Sequence, residues 1–426
     1  MFKIMLFSLS TIICSQQAIA SVPPTPEQLY TNVPSEMSPD LAKAGGYSVG
    51  VRTMEITDKN YYDPFTNADN KTRTLKLEVW YPGSEKVNSN NATTYDNVTR
   101  SGQPFSIIAN AVRNSAVVNT AGKFPLIILS HGYTGYRTIM FYLGEHLASN
   151  GYIVVGIDHT DSTNAEVDFK SSPYSGFPST LINRSRDQEF TKKYFNHNKT
   201  FLSGVLDTQK SGLIGYSMGG YGAIKSAGGC YHFSDQNINK FMGVKDIKVA
   251  NDIKNLLNKC PSEKQRTSHW DAVIAMDPWG EAYRLFSLDS LAKITTPLLY
   301  VAGDLDDVAD YKSIVKLYNN TGSKNTFLLT YENARHNTAP HPAPAIAYKN
   351  AFDLGHYDEP TWDTQKLNTI NKHFALAMMD CYVKNIAKQC KYLSLSERSN
   401  ADEDHPWFGF DKRYSVGMEW KSKMGH

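Results

Sequence analysis

Ser217 lies in Gly215-Tyr216-Ser217-Met218-Gly219, directly after the apolar run Gly212–Ile214 and before the small-residue stretch Tyr221–Ala227. A serine held on a tight strand-to-helix turn projects its hydroxyl from the edge of a sheet, and glycines on either side let the backbone come close. The bare G-x-S-x-G pattern is common by chance; its placement between a strand and a helix is what makes it specific. A hydroxyl in that position becomes a nucleophile only beside a base. His336, in Asn333-Ala334-Arg335-His336-Asn337, follows the strand-like Asn325–Thr330 and comes well after the serine, as the order Ser…Asp…His requires. His341, His356 and His373 are its competitors. The acid that would orient the base has two sources. Asp304, Asp306 and Asp307 follow the apolar run Pro297–Ala302, and Asp277 follows Ala272–Met276. Either strand end can set a carboxylate behind an imidazole, where it holds the tautomer and stabilises the imidazolium. The aspartates left over would cap turns.

Acyl transfer also needs donors for the developing oxyanion. The residue after the nucleophile, Met218, supplies one backbone N–H. The other is expected from the loop that ends the strand Pro125–Leu129, in Ser130-His131-Gly132-Tyr133-Thr134-Gly135. His131 precedes the nucleophile, so it is read as bracing this loop rather than moving protons.

The elements that must carry these groups are legible as well. Leu75, Leu77 and Val79 alternate with polar residues within Thr74–Tyr81, and Tyr47–Ile56 is a second β-like run. Ser84–Arg100 reads as a polar loop. From Phe124 onward, short apolar runs (Pro125–Leu129, Tyr152–Ile157, Gly212–Ile214, Ala272–Met276, Pro297–Ala302) alternate with helical stretches such as Thr138–Asn150. That alternation predicts an α/β fold, a mostly parallel central sheet flanked by helices on both faces. Two segments exceed a minimal version of it: an insertion at about 230–269 and a C-terminal extension at about 341–426.

The chain of 426 residues carries 44 basic and 42 acidic residues, a net charge of +2, and no run of Lys or Arg, which gives no footprint for nucleic acid. No cofactor or metal is expected, and the oligomeric state is not legible. Lys3, the apolar run Ile4–Cys14 and Ala18-Ile19-Ala20 read as a cleaved signal segment over 1–20. The apolar run falls short of the ~20 residues that span a bilayer, so no stable membrane insertion is expected. Residues 21–45 are an extended lead-in, and 46–426 the catalytic domain. An exported product, periplasmic or secreted, permits disulfides among the remaining Cys230, Cys260, Cys381 and Cys390. Pairing neighbours closes the shortest loops, but three connectivities are open.

Taken together these motifs resemble bacterial cutinases and polyester hydrolases over roughly Pro125–Pro340. Ser130–Ser149 is similar to their S-P-G-Y-T-G…L-G…L-A-S stretch, and Tyr216–Gly220 to their nucleophile elbow. Met276-Asp277-Pro278-Trp279 resembles their P-W strand end, Asp304–Ala309 their acid loop, and Ala334–His336 their A-S-H loop. The resemblance implies the α/β-hydrolase fold and an ester substrate, whether a small molecule, a lipid or a polyester. It implies Ser217 as nucleophile, His336 as base, Asp306 as acid, Tyr133 and Met218 as oxyanion donors, and Trp279 as an aromatic beside the substrate. The wider group includes dienelactone-hydrolase-like proteins and platelet-activating-factor acetylhydrolases. The acetylhydrolases take their acid from the earlier strand, where Asp277 stands. Three departures mark this chain: its greater length, His131 in place of the family's Pro, and the insertion around Cys230–Cys260, a candidate lid or wall. The alternatives to an esterase are an amidase or peptidase, and a non-catalytic binding module on the same fold.

Overall fold

The computed structural model describes residues 38–260, 269–402 and 404–423. The signal segment and most of the lead-in lie outside them. Eleven strands form one sheet in the order β11-β10-β9-β8-β7-β5-β6-β2-β1-β4-β3. They are β1 (Ser48–Asp63), β2 (Ala68–Gly83), β3 (Ala92–Val98), β4 (Pro104–Arg113), β5 (Phe124–Ser130), β6 (Ile153–Asp158), β7 (Leu206–Tyr216), β8 (Ala272–Met276), β9 (Leu298–Gly303), β10 (Thr326–Tyr331) and β11 (Met418–Ser422). From β6 to β10 every neighbouring pair is parallel. β2 joins β6 antiparallel, and β11 joins β10 antiparallel.

Strands β5, β8, β9 and β10 are buried along their whole length, and β7 from Ser211 to Tyr216, because both faces carry helices. Ile127 and Leu129 point into one core, and Leu126 and Ile128 into the other. Helices α1 (Phe141–Ser149) and α7 (Thr364–Met378) supply the first core with Phe141, Leu147, Ile370 and Phe374. The second takes Leu181 from α2 (Phe177–His197), Ala223 and Ile224 from α3 (Met218–Ser226), and Ile314 and Leu317 from α6 (Tyr311–Asn320). The alternation expected of Leu75, Leu77 and Val79 is seen: all three are fully buried on one side of β2. The expected α/β-hydrolase architecture is therefore the one observed.

The polar loop expected over Ser84–Arg100 is a correction. It contains β3, an edge strand whose only fully buried side chain is Tyr95. A strand that buries one residue leaves no apolar period to read. Tyr95 anchors it by accepting from Trp80 Nε1 at 2.7 Å and donating to Glu145 at 2.8 Å.

The insertion forms α4 (Asp235–Phe241) and α5 (Ile247–Asn258), tied at its ends by the Cys230–Cys260 disulfide. A second disulfide joins Cys381 to Cys390. The pairing of neighbours is thus the one adopted, and it is compatible with export. No helix among the described residues is long and apolar enough to cross a membrane.

Candidate active site

Three strand ends converge on Ser217. The residue closes β7 and opens α3 with φ 53° and ψ −112°, a left-handed region that L-residues adopt only under constraint. The constraint is local. The Ser217 N–H donates to Met276 O at 2.8 Å, and the Tyr221 N–H donates to Ser217 O at 2.9 Å. A Cβ on Gly219 would lie 1.9 Å from the Ser130 carbonyl oxygen, so only glycine lets the elbow press against the end of β5. Gly219→Ala should therefore destabilise the fold by about 1–3 kcal/mol. It should also lower turnover, because β5 leads into the loop at Gly132. Urea unfolding alongside ester kinetics checks both; an unchanged midpoint would show that the contact relaxes freely.

His336 follows β10, and its Nε2 lies 2.9 Å from Ser217 Oγ. Its Nδ1 lies 2.9 and 3.1 Å from the two oxygens of Asp306, which follows β9. With the proton on Nδ1 facing the carboxylate, Nε2 is left as acceptor for the serine hydroxyl. Burial alone would raise the Asp306 pKa. His336 and the N–H groups of Ala309 and Val308 outweigh it and hold the carboxyl below its ordinary value.

Asp277 is next to this group but bonded elsewhere. It is fully buried, accepts from the Thr338 hydroxyl at 2.5 Å and from the Gly303 N–H at 3.3 Å, and makes no hydrogen bond to His336. Burial, reinforced by the charge of Asp306, pushes its pKa well above the usual carboxylate range, so it favours the neutral acid. Asp277, Asp306 and His336 lie close enough to share a cation. Both ring nitrogens of His336 are already committed to Asp306 and Ser217, which accounts for the cluster without an ion.

The other histidines have different partners. His341 Nε2 meets the Tyr136 hydroxyl at 2.6 Å, and His373 Nδ1 accepts from the Leu41 N–H. His131 is fully buried. Its Nε2 accepts from the His159 N–H at 3.1 Å, so Nδ1–H donates to Gly132 O at 2.6 Å. Burial, with Arg184 and His159 nearby, keeps the ring neutral. Arg184 Nη2 donates to the same carbonyl at 3.2 Å. The Gly132 C=O is thereby turned toward His131 and Arg184, and in a planar trans peptide the Tyr133 N–H points the opposite way. A Cβ built on Gly132 would come 3.0 Å from Ser217 Cβ, so this loop lies directly over Ser217. Met218 begins α3, where first-turn N–H groups have no intrahelical acceptor.

A cavity of about 380 Å³ opens at Ser217 and His336. Its lining includes Arg100, Tyr133, Thr134, Arg335, His356 and Asp358. Trp279 is not on that lining. It is buried in an aromatic cluster with Phe177, Phe241 and Tyr283, at centroid distances of 5.1 to 5.7 Å. Phe241 belongs to the insertion, which thus walls this cluster. Sequence reasoning missed Arg100, which lies in the turn between β3 and β4. It also missed the contribution of Gly355–Pro360 from the C-terminal extension, for which no motif gives a signal.

Residues 41–199 match the family described as "Platelet-activating factor acetylhydrolase, isoform II". The chain is 26% identical over 136 residues to a bis(hydroxyethyl) terephthalate hydrolase of Streptomyces coelicolor, covering 29% of this chain and 39% of that one. It is 26% identical over 238 residues to a platelet-activating factor acetylhydrolase of Cavia porcellus, covering 47% and 45%. It is 25% identical over 233 residues to cutinase est1 of Thermobifida alba, covering 54% and 57%. The matched region thus spans between about two-fifths and three-fifths of these relatives' length. Among solved structures, a ferulic acid esterase from Streptomyces cinnamoneus superposes with a TM-score of 0.53 at 17% identity, over 80% of this chain and 91% of that one, which shows the fold. The chain has the α/β-hydrolase fold and over part of its length is similar to platelet-activating factor acetylhydrolases and bacterial cutinases.

Proposed function

We propose that this protein is an exported serine hydrolase that cleaves carboxylic esters through an acyl-enzyme on Ser217. The observation that carries the reading is the unbroken hydrogen-bond chain Ser217–His336–Asp306, ending on a cavity. In this mechanism His336 takes the serine proton as Oγ attacks the ester carbonyl. The Tyr133 and Met218 N–H groups receive the oxyanion, each worth about 10²–10³ in rate. His336 then passes its proton to the leaving alkoxide, and the alcohol departs. A water activated by the same imidazole releases the acid. Asp306 holds the tautomer and stabilises the imidazolium. Export is supported by the signal-like pattern over 1–20 and by the two disulfides. An acetylhydrolase-type arrangement with Asp277 as acid is the second reading, favoured by its place at the end of β8.

The test is release of para-nitrophenol from acetate through decanoate esters, beside the matching anilides. The expected result is turnover of esters with a maximum at one acyl length, and much slower cleavage of the amides. No turnover of any ester would transfer the fold to the binding-module reading, and comparable anilide turnover would make it an amidase.

A further inference from the structure

Buried polar groups normally find partners, and one left alone marks a place where something else supplies the bond. Among the described residues, three such atoms belong to the lining of the Ser217 cavity: Arg100 Nε, His356 Nδ1 and Thr134 Oγ1. Thr134 and His356 are 1% and 3% exposed, so bulk water does not serve them. The guanidinium of Arg100 has one long bond, from Nη2 to the Tyr133 carbonyl at 3.5 Å, and the Phe169 ring 5.6 Å away.

Three other arginines are paired with carboxylates, while Arg184, fully buried, is held by the Gly132 carbonyl and the Ser162 hydroxyl. Arg73 is paired with Asp187 at 2.7 Å, Arg137 with Glu78 and Asp158, and Arg335, at the same cavity, with Asp307 at 2.7 Å. Asp353 acts on Arg100 through its charge, but its oxygens accept from Ser101 and Asn350 and it makes no hydrogen bond to the guanidinium. Asp358 is exposed at the cavity, where water screens it. Arginine keeps its charge at neutral pH even when burial pulls its pKa down, as it does here. Among the described residues the cavity therefore holds one cation, Arg100, to which no carboxylate is hydrogen-bonded, and its Nη2 reaches the Tyr133 carbonyl of the proposed oxyanion loop.

We infer that this end of the cavity is a subsite for a second, anionic oxygen group on the ester substrate, a carboxylate or a phosphate, held by Arg100 and Thr134. His356 is neutral because of burial and the nearby Arg100, and its Nδ1 can meet a hydroxyl or a protonated acid oxygen. Recognition of an anion by a guanidinium and a hydroxyl is stronger than by neutral donors alone. The preferred substrates are therefore esters whose acyl or alcohol part bears a negative group. This rests on the esterase reading of Ser217.

The test compares kcat/KM within matched pairs. One pair is the para-nitrophenyl monoester of glutarate and its methyl ester. A second is para-acetoxybenzoate and its methyl ester, and a third replaces the glutarate carboxylate by a phosphonate. Wild type should favour the anionic member of at least one pair by roughly 10- to 100-fold, mainly through KM. Arg100→Gln should bring that ratio close to one, and Arg100→Lys should restore part of it. A ratio cancels any loss of correctly folded enzyme. If Arg100→Gln does not fold, Thr134→Val should lower the same ratio. The strongest pair tells carboxylate from phosphate and acyl side from alcohol side. Neutral esters turned over with no anionic preference in any pair would overturn the subsite alone. So would a preference that Arg100→Gln leaves intact. No turnover of any ester would remove the esterase reading and the subsite with it.

Discussion

Ser217→Ala should lower ester turnover by on the order of 10⁶-fold while leaving the fold intact. The size follows from what is lost. The variant keeps the cavity and the proposed Tyr133 and Met218 donors, yet no atom remains that can form the proposed acyl-enzyme. Stability should hold because alanine has the same Cβ as serine and bears the φ of 53° no worse. Among the described residues, the only side-chain bond removed is the one to His336 Nε2. Two measurements settle it: para-nitrophenyl butyrate kinetics, and covalent labelling by a fluorophosphonate read by intact mass. Wild type should gain one adduct and the variant none. A variant with more than about a hundredth of wild-type turnover would sink the covalent mechanism, since oxyanion donors and binding alone leave far less.

The second large effect separates the two carboxylates. Asp306→Asn should cost about 10⁴-fold at neutral pH, because an amide N–H facing Nδ1 selects the tautomer that turns a donor toward Ser217. Asp277→Asn should cost less than about tenfold, as its bonds run to Thr338 and Gly303. The stability effects differ too. A carboxyl whose folded pKa is raised above its unfolded value stabilises below the unfolded pKa, about 3.9, and loses that contribution as pH rises through the folded one. Asp277 is such a group, raised first by burial and then by Asp306. Asp277→Asn should therefore gain stability relative to wild type as the pH is raised, read from urea midpoints at pH 5 and 8. The reverse pattern, with Asp277→Asn nearly dead and Asp306→Asn active, would assign the acid to the end of β8.

How much of this was readable beforehand differs from group to group, and the reasons are physical. β5, β8 and β9 announce themselves because a strand covered on both faces must be apolar throughout. Ser217 is legible because the elbow demands glycines at fixed offsets. The two aspartates were not separable by pattern. Both end neighbouring strands, and only hydrogen bonding decides which one meets His336. Arg100 and His356 stand 117 and 139 positions from Ser217 on opposite sides of it in the chain. They reach one cavity only through tertiary packing, which leaves no local period or motif. The same holds for β3, whose single buried tyrosine is invisible to any count of alternation.

One consequence concerns β11. It pairs with β10 from Phe327–Ser422 to Tyr331–Met418, and its Trp420 stacks on Phe374 of α7. Without it, β10 would end the sheet with a row of open amides and carbonyls, a template on which another chain can zip. The strand that closes this side comes after every other described strand. The sheet therefore stays adhesive along β10 until β11 docks, so the interval before it docks is when the folding chain most needs to be kept from its neighbours.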